Sequence, residues 1–263
     1  MTTVSPTVPP TQAVRHGFLL AGRAFGKLIK NPSDIIGLVV QPLITMILFV
    51  FVLGGAISGG NTDAYVQQLV PGLMVYSTLL VSLATGVALC TDVSNGVFDR
   101  FRSMPIARSA PLIGAVLGDL PRYFFSVVLT LGFGFMVGFE VQTNVFAVLI
   151  DLIVMALFAL SLCWMSVWIG LLVKNPQTVP GLLMLLIMPL SFGSSIFVSG
   201  TTMPGWLEAV TEVNPASFMT EVNRGLLHGG PVAEPLLGGL VWMAGLIAVF
   251  YPLAMVAYRR RMR

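Results

Sequence analysis

Residues 91–111 read TDVSNGVFDRFRSMPIARSAP. The stretch lies between two long apolar runs and carries too many charges to sit in lipid. Val93, Val97, Phe98, Phe101 and Met104 recur at helical spacing, with Asp99, Arg100 and Arg102 between them and a stop at Pro105. The pattern predicts a short amphipathic helix at a membrane surface, held there by the spans on either side. Such a helix can press against a second protein and receive force that this chain does not generate.

The flanking composition is that of a membrane protein: 10% of the residues are charged and 56% are hydrophobic. A helix needs about 20 mostly apolar residues to cross the hydrocarbon layer. Six stretches qualify, at about 35–57, 69–90, 121–139, 152–173, 179–199 and 235–258. The expected fold is therefore all-α, a polytopic membrane protein with six transmembrane helices. Its connections are too short for a nucleotide-binding domain. The first apolar run starts at Ile35, is long enough to span and lacks a small-residue cleavage site, so no signal peptide is expected.

Basic residues set the expected orientation. One side of a six-span layout collects thirteen of the fourteen Lys and Arg residues, and only Arg224 falls on the other. The opposite face is acidic, with Asp63, Glu140, Glu208, Glu212, Glu221 and Glu234. The positive-inside rule then places both termini in the cytoplasm. Residues 1–11 read as a disordered cytoplasmic tail. Over 12–30, Val14, Phe18, Ala21, Phe25 and Leu28 form a stripe, with Arg15, Arg23, Lys27 and Lys30 off it. A basic amphipathic helix of this kind lies in the headgroup layer.

Within the spans, Gln41, Pro42 and Thr45 fall in one turn, where the proline should kink or loosen the first helix. Ser82 with Gly86, and Gly134 with Gly138, have the spacing of close helix contacts. Asp119, Arg122 and Asp151 read as interfacial, and Cys90 and Cys163 as small packing residues. Pro180 and Pro189 interrupt the fifth span, whose outer half carries Ser191, Ser194 and Ser195. These serines suit either helix packing or, with Gln41 and Thr45, the polar lining of a substrate path. Asn31-Pro32, Asn175-Pro176 and Asn214-Pro215 each place a capping Asn before a first-turn Pro. Over 203–229 two short amphipathic helices are expected to dip into the outer leaflet, the second ending at Gly229-Gly230. Arg224 is expected to pair with Glu221, three residues before it.

Catalytic signatures are missing. There is no G-x-x-x-x-G-K-[ST] loop, and His16 and His228 fall on opposite sides of the membrane. The chain is read as a non-enzyme whose work must be powered elsewhere, by an ion or by another subunit.

Several stretches resemble the ABC-2-type transporter permeases, in particular the daunorubicin-resistance-type branch. They are Gly96–Arg102 with Met104-Pro105-Ile106, Arg108, Gly114 and Asp119; Lys174-Asn175-Pro176; and Met203–Leu207 with Val213-Asn214-Pro215 and Arg224-Gly225-Leu226. The resemblance implies the membrane part of an exporter of drug-like molecules or lipids in the bacterial plasma membrane. It implies two such permeases, identical or related, and two copies of an ATP-binding cassette subunit that uses the ATP and Mg, with no cofactor on this chain and no nucleic-acid partner. Residues 91–108 would be the coupling helix, carrying Gly96, Phe98, Asp99, Arg100, Phe101, Arg102, Met104, Pro105 and Arg108. Arg15, Phe18, Arg23, Phe25 and Lys27 would belong to an interface helix beside it, and Trp206, Asn214, Phe218 and Arg224 to an outer gate. Many relatives have more charge where this chain has Ser94-Asn95. Two other classes compete. An ion-coupled secondary transporter would show ionisable groups at the midplane, which here read as peripheral. A non-transporting scaffold would leave both surface helices unexplained.

Overall fold

The computed structural model describes residues 32–97, 110–198, 200 and 203–261. Helix α1 (Pro32–Ile47) runs through a π-helical stretch, Leu48–Leu53, into α2 (Gly54–Ser58). There follow α3 (Thr62–Ser94), α4 (Ala110–Met136) and α5 (Val145–Leu172). A 3-10 turn, Pro176–Thr178, leads into α6 (Val179–Phe192), and then come α7 (Gly205–Val213), α8 (Pro215–His228) and α9 (Ala233–Arg261). Every regular element among the described residues is helical.

Five segments are long and apolar enough to cross a membrane: Ile35–Ile57, Thr62–Ser94, Leu112–Met136, Val145–Leu172 and Ala233–Arg261. The sixth expected crossing differs. At about 1.5 Å per residue, α6 reaches about 21 Å, short of a hydrocarbon layer of about 30 Å. The chain continues as a buried, non-helical segment through Gly193, Ser195 and Phe197. Pro189 weakens the end of α6 by withholding a backbone donor, and the amide of Gly193 closes the last turn on the Pro189 carbonyl at 2.9 Å.

Helix α4 also departs from expectation. It begins at Ala110, with Pro121 in its interior, so Asp119 and Arg122 lie within the helix and not at its entry. The apolar residues of 112–118 extend the run, and proline is tolerated inside membrane helices.

Helix α3 is the spine. About 50 Å long by its rise, it packs against α4, α5, α6 and α8 and buries Leu69, Leu73, Met74 and Leu79. It approaches α5 closely, and a Cβ on Gly170 would stand 2.5 Å from the Gly86 carbonyl oxygen. Gly86 thus fills the close-contact role that its spacing suggested. Gly138 instead follows the end of α4 in a left-handed turn, φ 95°. At the basic end of the bundle, the Val173 carbonyl accepts from Arg261 Nη2 (2.7 Å) and Cys90 Sγ (3.2 Å). At the acidic end, the Gln67 amide donates to the Gly138 carbonyl (2.9 Å) and accepts from the Glu140 N–H (3.1 Å).

Candidate functional site

On the basic side of the α3 midpoint an open-sided cleft of about 320 Å³ lies between α1, α3 and α4. Gly37, Leu38 and Gln41 line it from α1, Leu80, Leu83 and Ala84 from α3, and Arg122 from α4. The α3 lining residues stand within about 10 Å of that helix's midpoint. Gly37 borders open space, since a Cβ there would meet nothing within 4 Å. Pro42 leaves the Gln41 turn loosely bonded. Gln41 Nε2 donates to Thr45 Oγ1 at 3.4 Å, and that hydroxyl donates to the Gln41 carbonyl at 2.9 Å. The next residue after Arg122, Tyr123, is buried and shares its hydroxyl with Thr85 Oγ1 (3.1 Å) and Cys163 Sγ (3.4 Å). Cys163 therefore joins a polar knot between α3, α4 and α5 besides packing.

The other half of the bundle is tied together by side chains bonded to backbone, beside an open-sided pocket of about 390 Å³ lined by Glu221, Arg224, His228 and Pro235. Asn214 Nδ2 donates to the carbonyls of Gly193 (2.7 Å) and Leu190 (3.0 Å), and its Oδ1 accepts from the Ala216 N–H (2.9 Å). One side chain thus ends α6 and starts α8, the second being the capping role expected of Asn214-Pro215. Ser191 donates to the Ile187 carbonyl and Ser194 to that of Ser191, while Ser217 Oγ accepts from the Ser195 N–H. The Ser191 bond is a back-bond within α6, and the others answer backbone groups that the broken helix leaves open in an apolar surrounding. The two halves of the expected polar path are thus apart, Gln41 and Thr45 at the cleft and the three serines under the cap.

Arg224 does not close on Glu221 as expected. Its Nε and Nη2 reach the Gln68 carbonyl at 3.2 and 3.1 Å, and Nη2 also reaches that of Ser195 at 2.8 Å. Two inward-facing carbonyls of neighbouring elements outcompete an exposed carboxylate. Burial lowers the guanidinium to about 10, against the opposing charge of Glu221, so it remains protonated at neutral pH. Burial raises Glu221, with Arg224 pulling it back. His228 is lowered by burial, and its ring stands edge-on to Phe139 with Nε2 3.3 Å from Gln67 Oε1. Trp206 is exposed, and Phe218 packs so tightly on α9 that a Cβ on Gly238 would lie 2.5 Å from its ring.

Beneath this cap Phe197 stacks on Phe49 (4.3 Å between ring centres, 8° between planes). Tyr76 and Phe192 complete the layer, each 5.2 Å from Phe197. The π-helical stretch of the first span carries Phe49; π-turns recur at functional sites.

Asp151, six residues into α5, is fully buried inside the bundle, on the helix face that carries Met155 and Phe158. Neither of its carboxylate oxygens has a hydrogen-bond partner among the described residues, and the same holds for Asn223 Oδ1. Asn223 Nδ2 reaches the Pro71 carbonyl at 3.3 Å and Met155 Sδ at 3.4 Å, which joins α8 to α3 and α5.

Of the expected coupling segment the structure describes residues 91–97. Helix α3 ends at Ser94, and Gly96 turns the chain with φ 67°, a left-handed conformation that glycine adopts freely. Phe98, Asp99, Arg100, Phe101, Arg102, Met104, Pro105 and Arg108 lie outside the described residues, as does the 12–30 helix with Arg15, Phe18, Arg23, Phe25 and Lys27.

Residues 16–227 match the family model described as ABC-2 type transporter. The chain belongs to that family. It is 36% identical over 230 residues to a daunorubicin resistance ABC transporter permease of Streptomyces coeruleorubidus, covering 88% of this chain and 81% of the relative. A probable doxorubicin resistance ABC transporter permease of Mycobacterium tuberculosis is 25% identical over 248 residues, 94% of this chain and 89% of the relative. An inner membrane transport permease of Escherichia coli K12 is 25% identical over 189 residues, 68% of this chain and 71% of the relative.

Proposed function

We propose that this chain is the membrane-spanning permease subunit of an ATP-binding cassette exporter. It moves a hydrophobic or amphiphilic molecule, drug-like or lipid, outward across the bacterial plasma membrane, with both termini in the cytoplasm. The chain is not itself an enzyme. ATP with Mg is hydrolysed by two copies of a separate cassette subunit, and a second permease, identical or related, completes the membrane part. The observation that carries the reading is the family match over residues 16–227, with the similarity to a permease named for daunorubicin resistance. The cleft supports it with a place to receive a molecule at mid-membrane, and the bonded cap supports a closed exit that needs an energy source to open. Residues 91–108 are the coupling helix in this reading, with the 12–30 helix beside it, and the helix pair of 203–229 forms the outer gate.

Asp151 is the observation that favours the rival reading of an ion-coupled transporter, because a buried ionisable group inside a span is a frequent mark of ion pathways. Purification from the native membrane separates the two. The exporter reading expects a P-loop ATPase subunit to accompany the chain. It also expects Phe98→Ala, or Asp99→Arg with Arg100→Glu, to uncouple ATP hydrolysis from transport while the protein still inserts. A chain that purifies alone and transports on a proton gradient would favour the rival, and normal transport in those variants would reject the coupling role.

A further inference from the structure

Asp151 and Asn223 are both fully buried, and both oxygens of the Asp151 carboxyl, together with Asn223 Oδ1, have no hydrogen-bond partner among the described residues. Met155 ties the two side chains together. It follows Asp151 by one turn on the same face of α5, and its Sδ lies 3.4 Å from Asn223 Nδ2 on α8. Asn223 Nδ2 also donates to the Pro71 carbonyl, so the amide oxygen is the end left over. Neither side chain borders a space wide enough for water. An ionised carboxylate buried without a partner is among the costliest groups a fold can hold, and it escapes that cost by taking a proton. A hard cation would ask for about six oxygen ligands, more than the unanswered oxygens supply. The other titratable groups at this end are placed otherwise. On α8, Arg224 is spent on the carbonyls of Gln68 and Ser195, His228 meets Gln67, and Glu221 is exposed. Asp63 on α3 and Glu234 on α9 are exposed, Tyr76 of α3 stands in the aromatic layer, and the buried Tyr65 hydroxyl on α3 has no partner. Helix α6 brings no titratable group, and α4 brings none beyond Tyr123, which is bonded to Thr85 and Cys163.

From these unanswered acceptors, sealed from water, we infer that Asp151 is a proton-binding site, and that the neutral acid hydrogen-bonds to Asn223 Oδ1 across the contact of α5 with α8. A carboxylic acid has one O–H donor and an amide oxygen is an acceptor, so a single proton answers groups on both helices. The pair is a latch. With the proton in place, α8, the second helix of the cap, is bonded to α5. Loss of the proton sets a bare carboxylate against an amide oxygen, two acceptors with no donor between them, and loosens the corner where Asn223 also holds α8 to α3. The proton is held by the fold and not carried across the membrane, so the latch acts on the cap whichever energy source drives transport.

Infrared spectroscopy of the full-length chain in a neutral detergent reads the proton directly, because a carboxylic acid and a carboxylate absorb apart. At about pH 7, roughly three units above the ordinary aspartate value, exposed aspartates are ionised and give no acid band. The wild type grown with isotope-labelled aspartate is expected to show a label-shifted acid band. Asp151→Asn should remove that band, Asp63→Asn at the exposed start of α3 should leave it, and Asn223→Leu should keep it at a shifted frequency, its acceptor being gone. A wild type without the band, or a band that survives Asp151→Asn, overturns the proton site. A band unmoved by Asn223→Leu overturns the latch. Asp151→Asn also puts an N–H donor where the acid has its O–H, which holds the latch at any pH. Unfolding frees the wild-type carboxyl to ionise, so raising the pH from about 7 to about 9.5 should lower the melting temperature of the wild type more than that of Asp151→Asn. Equal falls overturn the latch. If Asp151→Asn does not fold, Asp151→Ser takes its place in the infrared measurement, and a band that survives it overturns the proton site.

Discussion

At the acidic end, Asn214, Ser217 and Arg224 direct their polar atoms onto the backbone of α3, α6 and the non-helical segment after it. At the basic side of the midpoint, Gln41 and Arg122 line a cleft, and the one strong bond in the Gln41 turn is local. The contrast is between a region bonded across several elements and a region whose described bonds stay within one helix. Opening the cap breaks several bonds between elements at once, whereas the Gln41–Thr45 bonds beside the cleft lie within one helix. A transporter that loads at the cleft and releases through the cap needs energy at the second step.

The largest expected effect comes from removing the donor that ties the cap down. Arg224→Leu removes the charge-assisted bonds to the carbonyls of Gln68 and Ser195 and should destabilise the fold by about 3 kcal/mol. Reversible unfolding in mixed micelles reads that loss; a variant as stable as the wild type would mean that the cap is not held by Arg224. Next is Gly72→Ala, which pushes a methyl into the backbone of Ile196 under the cap and should cost about 2 kcal/mol.

These two sites also show what the sequence makes legible. Five of the six expected crossings and the helix punctuation at Asn175, Asn214 and Gly229 could be read from it. Asn175 caps the turn at Pro176, Asn214 caps α8, and Gly229 ends α8 in a left-handed conformation, because capping is a matter of neighbours along the chain. Arg224 was misread because its acceptors, Gln68 and Ser195, are distant in sequence and are carbonyls that any residue possesses. The burial of Asp151 is illegible for a related reason: proximity to the end of an apolar run carries no sign of the neighbours that cover it. The aromatic layer of Phe49, Tyr76, Phe192 and Phe197 draws on four segments, so no spacing could announce it. The start of α4 was missed because Pro121 resembles a boundary.

On the cleft side the effects should be smaller. Thr85→Val removes one hydroxyl from the buried Tyr123 knot and should cost about 1 kcal/mol in the same unfolding assay. A loss as large as that of Arg224→Leu would erase the distinction between the two regions.

The smallest effect is a pH dependence at the cap. His228 has its folded value lowered below the ordinary 6.5 by burial, so the unfolded chain takes up the proton first. Its contribution to stability is present above about pH 6.5 and is lost as pH falls through the lowered value. Glu221, raised by burial above 4.5, has the opposite sign: its contribution is present below the ordinary value and is lost as pH rises through the raised one. Acidification from pH 7.5 to about 5.5 should therefore lower the melting temperature more in the wild type than in His228→Gln. Equal slopes would remove His228 from the account of the cap.

The claim that a partner's ATP opens this closed end is tested most directly in inverted membrane vesicles containing the chain and its ATP-binding subunit. The measurement is uptake of a fluorescent amphiphile, with ATP or a non-hydrolysable analogue, and with the proton gradient intact or dissipated. The account predicts uptake that requires hydrolysable ATP and survives loss of the gradient. Uptake that follows the gradient and ignores ATP would contradict it.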